Sequence, residues 1–212
     1  MVETDKKRDL IIEGAIKRFI HFGINKTTMN EIADDLSVSK PALYYYFPDK
    51  TSLILGVVEK IFNDYFELVG KEKAENRPLE KMLVNLIEVG HRFFQKYYML
   101  HLSGGSVDSS FNSAEVRNFI AEMKNKNLRL HAGIFQEAAD GGEIEVDDID
   151  KITELYLSSQ SGMTSLCIMH GNKDLFPGKK ELKCTLERQI QLCKIFIKGI
   201  RNNQPKTNQN ED

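Results

Sequence analysis

Between Lys40 and Lys50 the chain sets hydroxyls and ammonium groups beside small residues: Lys40, Pro41, Ala42, Tyr44, Tyr45, Tyr46 and Lys50, preceded by Thr27, Thr28 and Ser39. These residues contain no nucleophile–base pair and no metal-ligand set. Tyrosine hydroxyls, ammonium groups and the N–H groups of a helix start share an affinity for phosphate oxygens. Small residues at the start of such a helix let its backbone come close to base edges in a major groove, where the N-terminal residues of a recognition helix reach. The competing reading is a helical hairpin whose tyrosines pack at an interface. Three consecutive tyrosines on so short a helix cannot all be buried, so packing alone does not account for them.

The flanking residues predict how this face is held. Thr28 followed by Glu31 is a capping-box pattern, and Ile32, Ala33 and Leu36 then share one helical face. Ser37 and Ser39 break that helix, Ser39 caps the next, and Pro41 suits its first turn because no intrahelical partner is lost there. Val38, Leu43 and Phe47 are the apolar residues that hold the second helix on the first, and small Ala33 lets it approach closely. The spacing is that of a helix-turn-helix. Upstream, residues 5–22 predict a helix with the stripe Leu10, Ile11, Ala15, Phe19 and Phe22, stopped by Gly23. The cluster Lys6-Lys7-Arg8 either touches phosphate beside the groove or is a solvated end; the residues leave both open. Downstream, Asp49 caps a helix from Lys50 towards Lys73, apolar on two faces and about 35 Å long at ~1.5 Å per residue.

Thr27-Thr28 through Ile32-Ala33, then Val38-Ser39-Lys40-Pro41-Ala42-Leu43-Tyr44-Tyr45-Tyr46-Phe47, Lys50 and Leu53 resemble the signature of the TetR family of bacterial transcriptional regulators. The likeness covers about the first quarter of the chain. Ser37 departs from it, standing where the turn usually carries glycine, so a left-handed backbone there is strained. Tyr46 stands where histidine is common, and Pro48 replaces a more flexible polar residue. The resemblance implies a repressor that leaves a palindromic operator when a small-molecule effector binds. It also implies that the helix from Lys50 joins a DNA-reading head to a dimeric body.

The expected class is all-α. A helix-turn-helix head spans 1–50, with a connecting helix over 50–73, a helical effector-binding and dimerisation body over 74–201, and a disordered polar tail over 202–212. Helices are expected from Pro78 to about Tyr98, from Asn112 to Gly141-Gly142, from an Asp147 cap past Met169, and from Leu182 to Ile200. Between the first two lies a small-residue stretch from His101. The last two helices carry more apolar surface than one core face needs. Ser159, Gly162 and Leu166, with Leu186, Ile190, Cys193 and Ile197, are therefore candidates for a homodimer interface. An effector cavity is mostly apolar with a few convergent polar groups. His91, Tyr98, His101, Gln136, Gln160 and Met163 are the candidates to line it.

Other functions fit less well. His91 and His101 lie ten residues apart, and neither a His-Glu-x-x-His run nor a G-x-S-x-G pattern occurs, so no metal centre, cofactor or enzyme is expected. A nucleoid or architectural DNA binder without an effector remains an alternative. Cys167, Cys184 and Cys193 have no metal-ligand spacing and an odd count, and Cys167 and Cys193 suit small core residues in a reducing cytoplasm. With no apolar run of about 18 residues, no membrane span is expected. Residues 1–56 hold eight Lys and Arg against eight Asp and Glu. DNA binding then rests on placement rather than on net charge, with weak, salt-sensitive non-specific affinity.

Overall fold

The computed structural model describes residues 2–103, 113–170 and 178–202, and the side chains among them except 2–5, 98–103 and 168–170. Most of the small-residue stretch after His101, and the tail from 203, lie outside the described residues. The described residues form α1 (Val2–Phe22), α2 (Met29–Asp35), α3 (Lys40–Tyr46), α4 (Lys50–Ala74), α5 (Leu79–Ser103), α6 (Ala114–Asp140), α7 (Ile149–His170) and α8 (Lys179–Ile200). Among them the only strand-like pairing is an isolated antiparallel bridge between Ile144 and Arg201. The fold is all-helical. By contacts it divides into two compact units, Met1–Ala74 with Val89–Asn125 and Glu75–Glu88 with Lys126–Asp212. Each unit is discontinuous in sequence, whereas the expected head and body are contiguous.

In the first unit, Ile11, Ala15 and Phe19 of α1, Ile32 and Ala33 of α2, Leu43 of α3 and Leu53, Ile54 and Val57 of α4 are all buried in one core. Gly23, with φ of 77°, ends α1 in the left-handed conformation that glycine adopts without steric cost. Two expected stripe residues are corrected: Leu10 and Phe22 are 52% and 55% exposed. Phe22 instead lies beneath the Arg18 guanidinium, 4.9 Å from ring centroid to Cζ. Further along α4 the packing is aromatic, with Phe62 edge-on to Phe119 at 6.1 Å and Tyr65 edge-on to Phe93 at 5.5 Å. Burial pushes the Tyr65 hydroxyl up to about 12. α5 runs past the expected Tyr98 and kinks at Tyr97 (φ −112°, ψ 18°).

In the second unit, Phe135, Tyr156 and Phe196 bring α6, α7 and α8 together, with Tyr156 5.6 Å from Phe135 and 5.4 Å from Phe196. The end of α6 is a Schellman turn: Gly142 N–H donates to Ala139 O and Glu143 N–H to Ala138 O, with Gly142 at φ 70°. Glu143 then reaches back, its carboxylate accepting from Leu79 N–H at 3.0 and 3.1 Å, which caps α5. The cap of α7 falls one residue later than expected, since Asp148 rather than Asp147 accepts from Lys151 N–H at 3.0 Å.

Candidate nucleic-acid interface

The helix-turn-helix expected at 28–47 is present, and its sequence signals are met atom for atom. Thr28 is the N-cap of α2; its Oγ1 accepts from Glu31 N–H at 3.3 Å. In return Glu31 Oε2 accepts from Thr28 N–H at 2.8 Å and from Thr28 Oγ1 at 2.9 Å. These bonds, the backbone one foremost, hold the Glu31 carboxyl below the usual carboxylate range. Arg18 of α1 fixes the same corner, with Nη2 2.8 Å from Glu31 Oε1 and Nη1 2.6 Å from Asp35 Oδ2. Bonding to Asp35 is the main cause that raises the Arg18 pKa further. Sequence reasoning missed Arg18, because an ion pair across 17 residues has no local spacing signal.

The turn is a second Schellman motif. Ser37 N–H donates to Asp34 O at 3.1 Å and Val38 N–H to Ala33 O at 3.0 Å. It forces Ser37 to φ 51°, the left-handed backbone expected to be strained there. Ser39 then caps α3, its Oγ accepting from Ala42 N–H at 3.3 Å. Leu43 is fully buried, so the opposite side of α3 must face outward. Lys40 and Pro41 are exposed, Ala42 is half-buried, and Tyr44 and Tyr45 are 44% and 78% exposed. Tyr46 is half-buried against the core and receives the Tyr45 ring edge-on at 5.2 Å, so it supports the outward face more than it forms it. Lys50 is half-buried at the start of α4, where Asp49 Oδ1 accepts from Ser52 N–H at 2.7 Å. Thr27 needs a correction: it is 1% exposed and its hydroxyl donates inward to Gly23 O at 2.9 Å, which removes it from any phosphate-facing set.

The remaining candidates do not form one constellation. His91 lies half-buried in the first unit, where burial lowers its pKa. Gln136, Gln160 and Met163 belong to the second unit, and the side chains of Tyr98 and His101 lie outside the described residues. Gln136 is corrected as a pocket residue; it is exposed and donates to Asp140 Oδ1 at 2.8 Å. Gln160 is buried, but it stitches α7 to α8: its Nε2 donates to Gln189 O at 3.3 Å, and Gln189 Nε2 donates back to Gln160 O at 3.0 Å. Its Oε1 has no hydrogen-bond partner. Met163 is half-buried. A cleft of about 400 Å³ in the second unit is lined by Pro78, Glu80, Lys81, Val84, Glu143, Lys194 and Arg201, none of them an expected pocket residue.

Of the interface candidates, Cys193 and Ile197 are fully enclosed by their own chain. Burial pushes the Cys193 thiol up, against a bond from Tyr156. Both are corrected to core residues. Leu186 and Ile190 are half-buried, as is Ser159, while Gly162 is exposed and Leu166 is 55% exposed. Leu155 and Ile195, at 55% and 60% exposed, were not among the candidates, although with Leu166 they are the large apolar groups left outward among the described residues of α7 and α8. Among the described residues no cluster of three or more His, Cys, Asp or Glu could hold a metal ion. Nor is any helix among them long and apolar enough to cross a membrane.

The fold and this site together define an all-helical protein that carries a helix-turn-helix near its N-terminus. Residues 11–57 match the profile of a family described as bacterial regulatory proteins, tetR family. That match covers the later part of the first helix, the helix-turn-helix and the start of α4. It is 30% identical over 132 residues to an HTH-type transcriptional regulator, YuxN, of Bacillus subtilis, a match covering 59% of this chain and 43% of that one. It is 25% identical over 124 residues to IcaR of Staphylococcus epidermidis, the negative transcriptional regulator of the biofilm operon icaADBC, covering 58% of this chain and 65% of that one. The chain thus spans less than two thirds of the length of these curated relatives. Among solved structures it resembles a transcriptional regulator from Cytophaga hutchinsonii, with a TM-score of 0.80 and 27% identity over 92% of this chain and 98% of the other.

Proposed function

We propose that the chain is a DNA-binding transcriptional repressor that acts as a homodimer in the cytoplasm. Two copies present α3 to the half-sites of a palindromic operator, and a small-molecule effector in the body releases them. The functional division follows the sequence: residues 1–50 read DNA, the α4 segment 50–73 connects, and 74–201 bind effector and partner. The observation that carries the reading is the orientation of α3. Leu43 and Phe47 are buried, which leaves Lys40, Pro41, Tyr44 and Tyr45 outward on a helix whose N-terminus is capped by Ser39. Thr28, Ser39, Ala42 and Lys50 frame that face, with Lys50 as a further phosphate-directed group. The effector acts by binding the DNA-competent and DNA-incompetent states with different affinity. Its contacts are sought in each unit by itself, at half-buried His91 in the first and half-buried Met163 in the second. The homodimer is supported by the large apolar groups outward on α7 and α8.

A gel-shift titration with the DNA upstream of the protein's own gene tests the reading. The full-length protein is expected to retard that duplex, and Tyr44→Ala with Lys50→Ala to weaken it by at least about tenfold, as for loss of two phosphate-directed groups. Unchanged retardation by the double variant would remove α3 as the reading face. Equal retardation of every duplex would favour an architectural binder instead.

A further inference from the structure

The α1 cluster Lys6-Lys7-Arg8 is not uniform. Lys6 and Lys7 are exposed, but Arg8 is turned onto the helix-turn-helix. Its guanidinium carbon lies 5.3 Å from the centroid of the Phe47 ring, and its Nη2 is 3.7 Å from Glu59 Oε2 on α4. Phe47 is the C-cap of α3 and is 2% exposed. Its ring also lies flush on α4 at Gly56, where an added Cβ would come within 3.0 Å of Phe47 Cε1 and 3.5 Å of Arg8 Nη2. Three elements therefore meet at one ring: α1 through Arg8, α3 through Phe47 and α4 through Gly56.

We infer that Arg8 is a positioning residue, which seats Phe47 on α4 and so sets how α3 is presented to DNA, rather than a phosphate contact. This rests on the DNA-binding reading above. The physical reason is length. α3 has only seven residues, so a displaced C-cap moves its whole outward face, Tyr44 and Tyr45 included. A planar guanidinium can stack on the ring and pair with Glu59 at once; an ammonium at the same place cannot reproduce both contacts. Gly56 completes the seat, because an added Cβ there would press directly on the ring edge.

The two roles for Arg8 separate by salt. A phosphate contact adds to the slope of affinity against salt, by nearly one per contact, whatever the DNA sequence. A positioning residue alters discrimination between sequences and leaves that slope alone. The experiment uses the full-length protein, a duplex selected with it from a random library, and a scrambled duplex of equal length. Fluorescence anisotropy is read from about 50 to about 200 mM salt, the range in which phosphate contacts are most visible. Arg8→Met and Arg8→Lys are both expected to weaken the selected duplex about three- to tenfold. The scrambled duplex and both salt slopes should stay as in the wild type. Glu59→Gln, which keeps Arg8 but loosens it, should weaken the selected duplex in the same direction by about twofold; it carries the test should an Arg8 variant unfold.

Wild-type behaviour from Arg8→Lys, together with equal losses on both duplexes and a shallower slope from Arg8→Met, would make Arg8 a phosphate contact and overturn the inference. Tighter binding of both duplexes by Glu59→Gln would do the same. So would Arg8 variants indistinguishable from the wild type on a duplex the wild type has selected. Enrichment of no duplex by the wild type is a different failure: it removes the DNA-binding reading itself, and this inference with it.

Discussion

Replacing Ser37 by glycine tests the account of the turn most directly, because the same motif occurs twice in the chain with different residues at its critical position. At the end of α6 it is Gly142 at φ 70°, and at the end of α2 it is Ser37 at φ 51°. Both donate their N–H to the carbonyl three residues back, and the next residue reaches five back, so the hydrogen-bond demands are the same. For an L-residue the left-handed conformation costs roughly 1–2 kcal/mol through the clash of Cβ with the carbonyl. Glycine removes that cost but loses about 0.5–1 kcal/mol more backbone entropy on folding. The expected net effect of Ser37→Gly is stabilisation by about 0.5–1 kcal/mol, or an increase of roughly 1–4 °C in melting temperature for a chain of this size. Ser37→Ala keeps the Cβ and its strain and loses only an exposed hydroxyl, so it should sit within about 0.5 kcal/mol of the wild type. Urea and thermal unfolding followed by far-UV circular dichroism, at one fixed protein concentration, compare the three. A Ser37→Gly protein less stable than Ser37→Ala would refute the argument, since strain would then not be what the glycine relieves.

The acid side of the stability curve should depend on His131, whose imidazole is lowered from its ordinary value of 6.5 chiefly by burial, against an opposing bond to Asn127 O. Below that value an unfolded histidine takes a proton that the folded one refuses, so stability is full above about pH 6.5 and falls as pH drops, by up to about 1.4 kcal/mol per unit. His131→Leu should flatten that fall between pH 7 and 5 in urea titrations. A residual slope is expected from His91, which is shifted the same way, and an unaltered slope would clear His131 of the effect. For the proposed dimer, Leu155→Asp with Ile195→Asp should shift sedimentation from dimer to monomer, each apolar group contributing about 1.5–3 kcal/mol when covered. Dimers that persist unchanged would place the interface elsewhere.

What could be read from the sequence was what depends on neighbours within one turn of helix. The Thr28–Glu31 box, the Ser39 cap, the Gly23 stop and the left-handed backbone at Ser37 are all decided by residues at most five apart, and each was found where the spacing puts it. Where two adjacent residues carry the same chemistry, the sequence does not choose between them: Asp147 and Asp148 are equally good caps, and only the path of the chain selected Asp148. Apolar stripes show that a helix has a buried face without saying what covers it. On α8 the row containing Cys193 and Ile197 turned out to face its own chain, and Ile195 was left outward. Gln136 and Gln160 illustrate the same limit for polar residues, since one pairs at the surface with Asp140 and the other joins two helices across 29 residues.

The arginines of α1 carry this furthest. By composition Arg8 and Arg18 count as two of eight cations in a neutral head, and the natural expectation is that cations beside a reading helix face DNA. Yet Arg18 is held by Glu31 and Asp35 over Phe22, and Arg8 by Glu59 over Phe47. Each guanidinium combines a carboxylate with an aromatic face, as its planar fork allows and a lysine's ammonium does not. The two arginines brace α2 and α3, and on the proposed reading the charge open to DNA falls to lysines. Among those of the head, Lys6, Lys7, Lys17, Lys26 and Lys40 are exposed. On the proposed DNA-binding reading, a head of zero net charge still grips a duplex because two of its carboxylates, Glu31 and Asp35, are already engaged by Arg18.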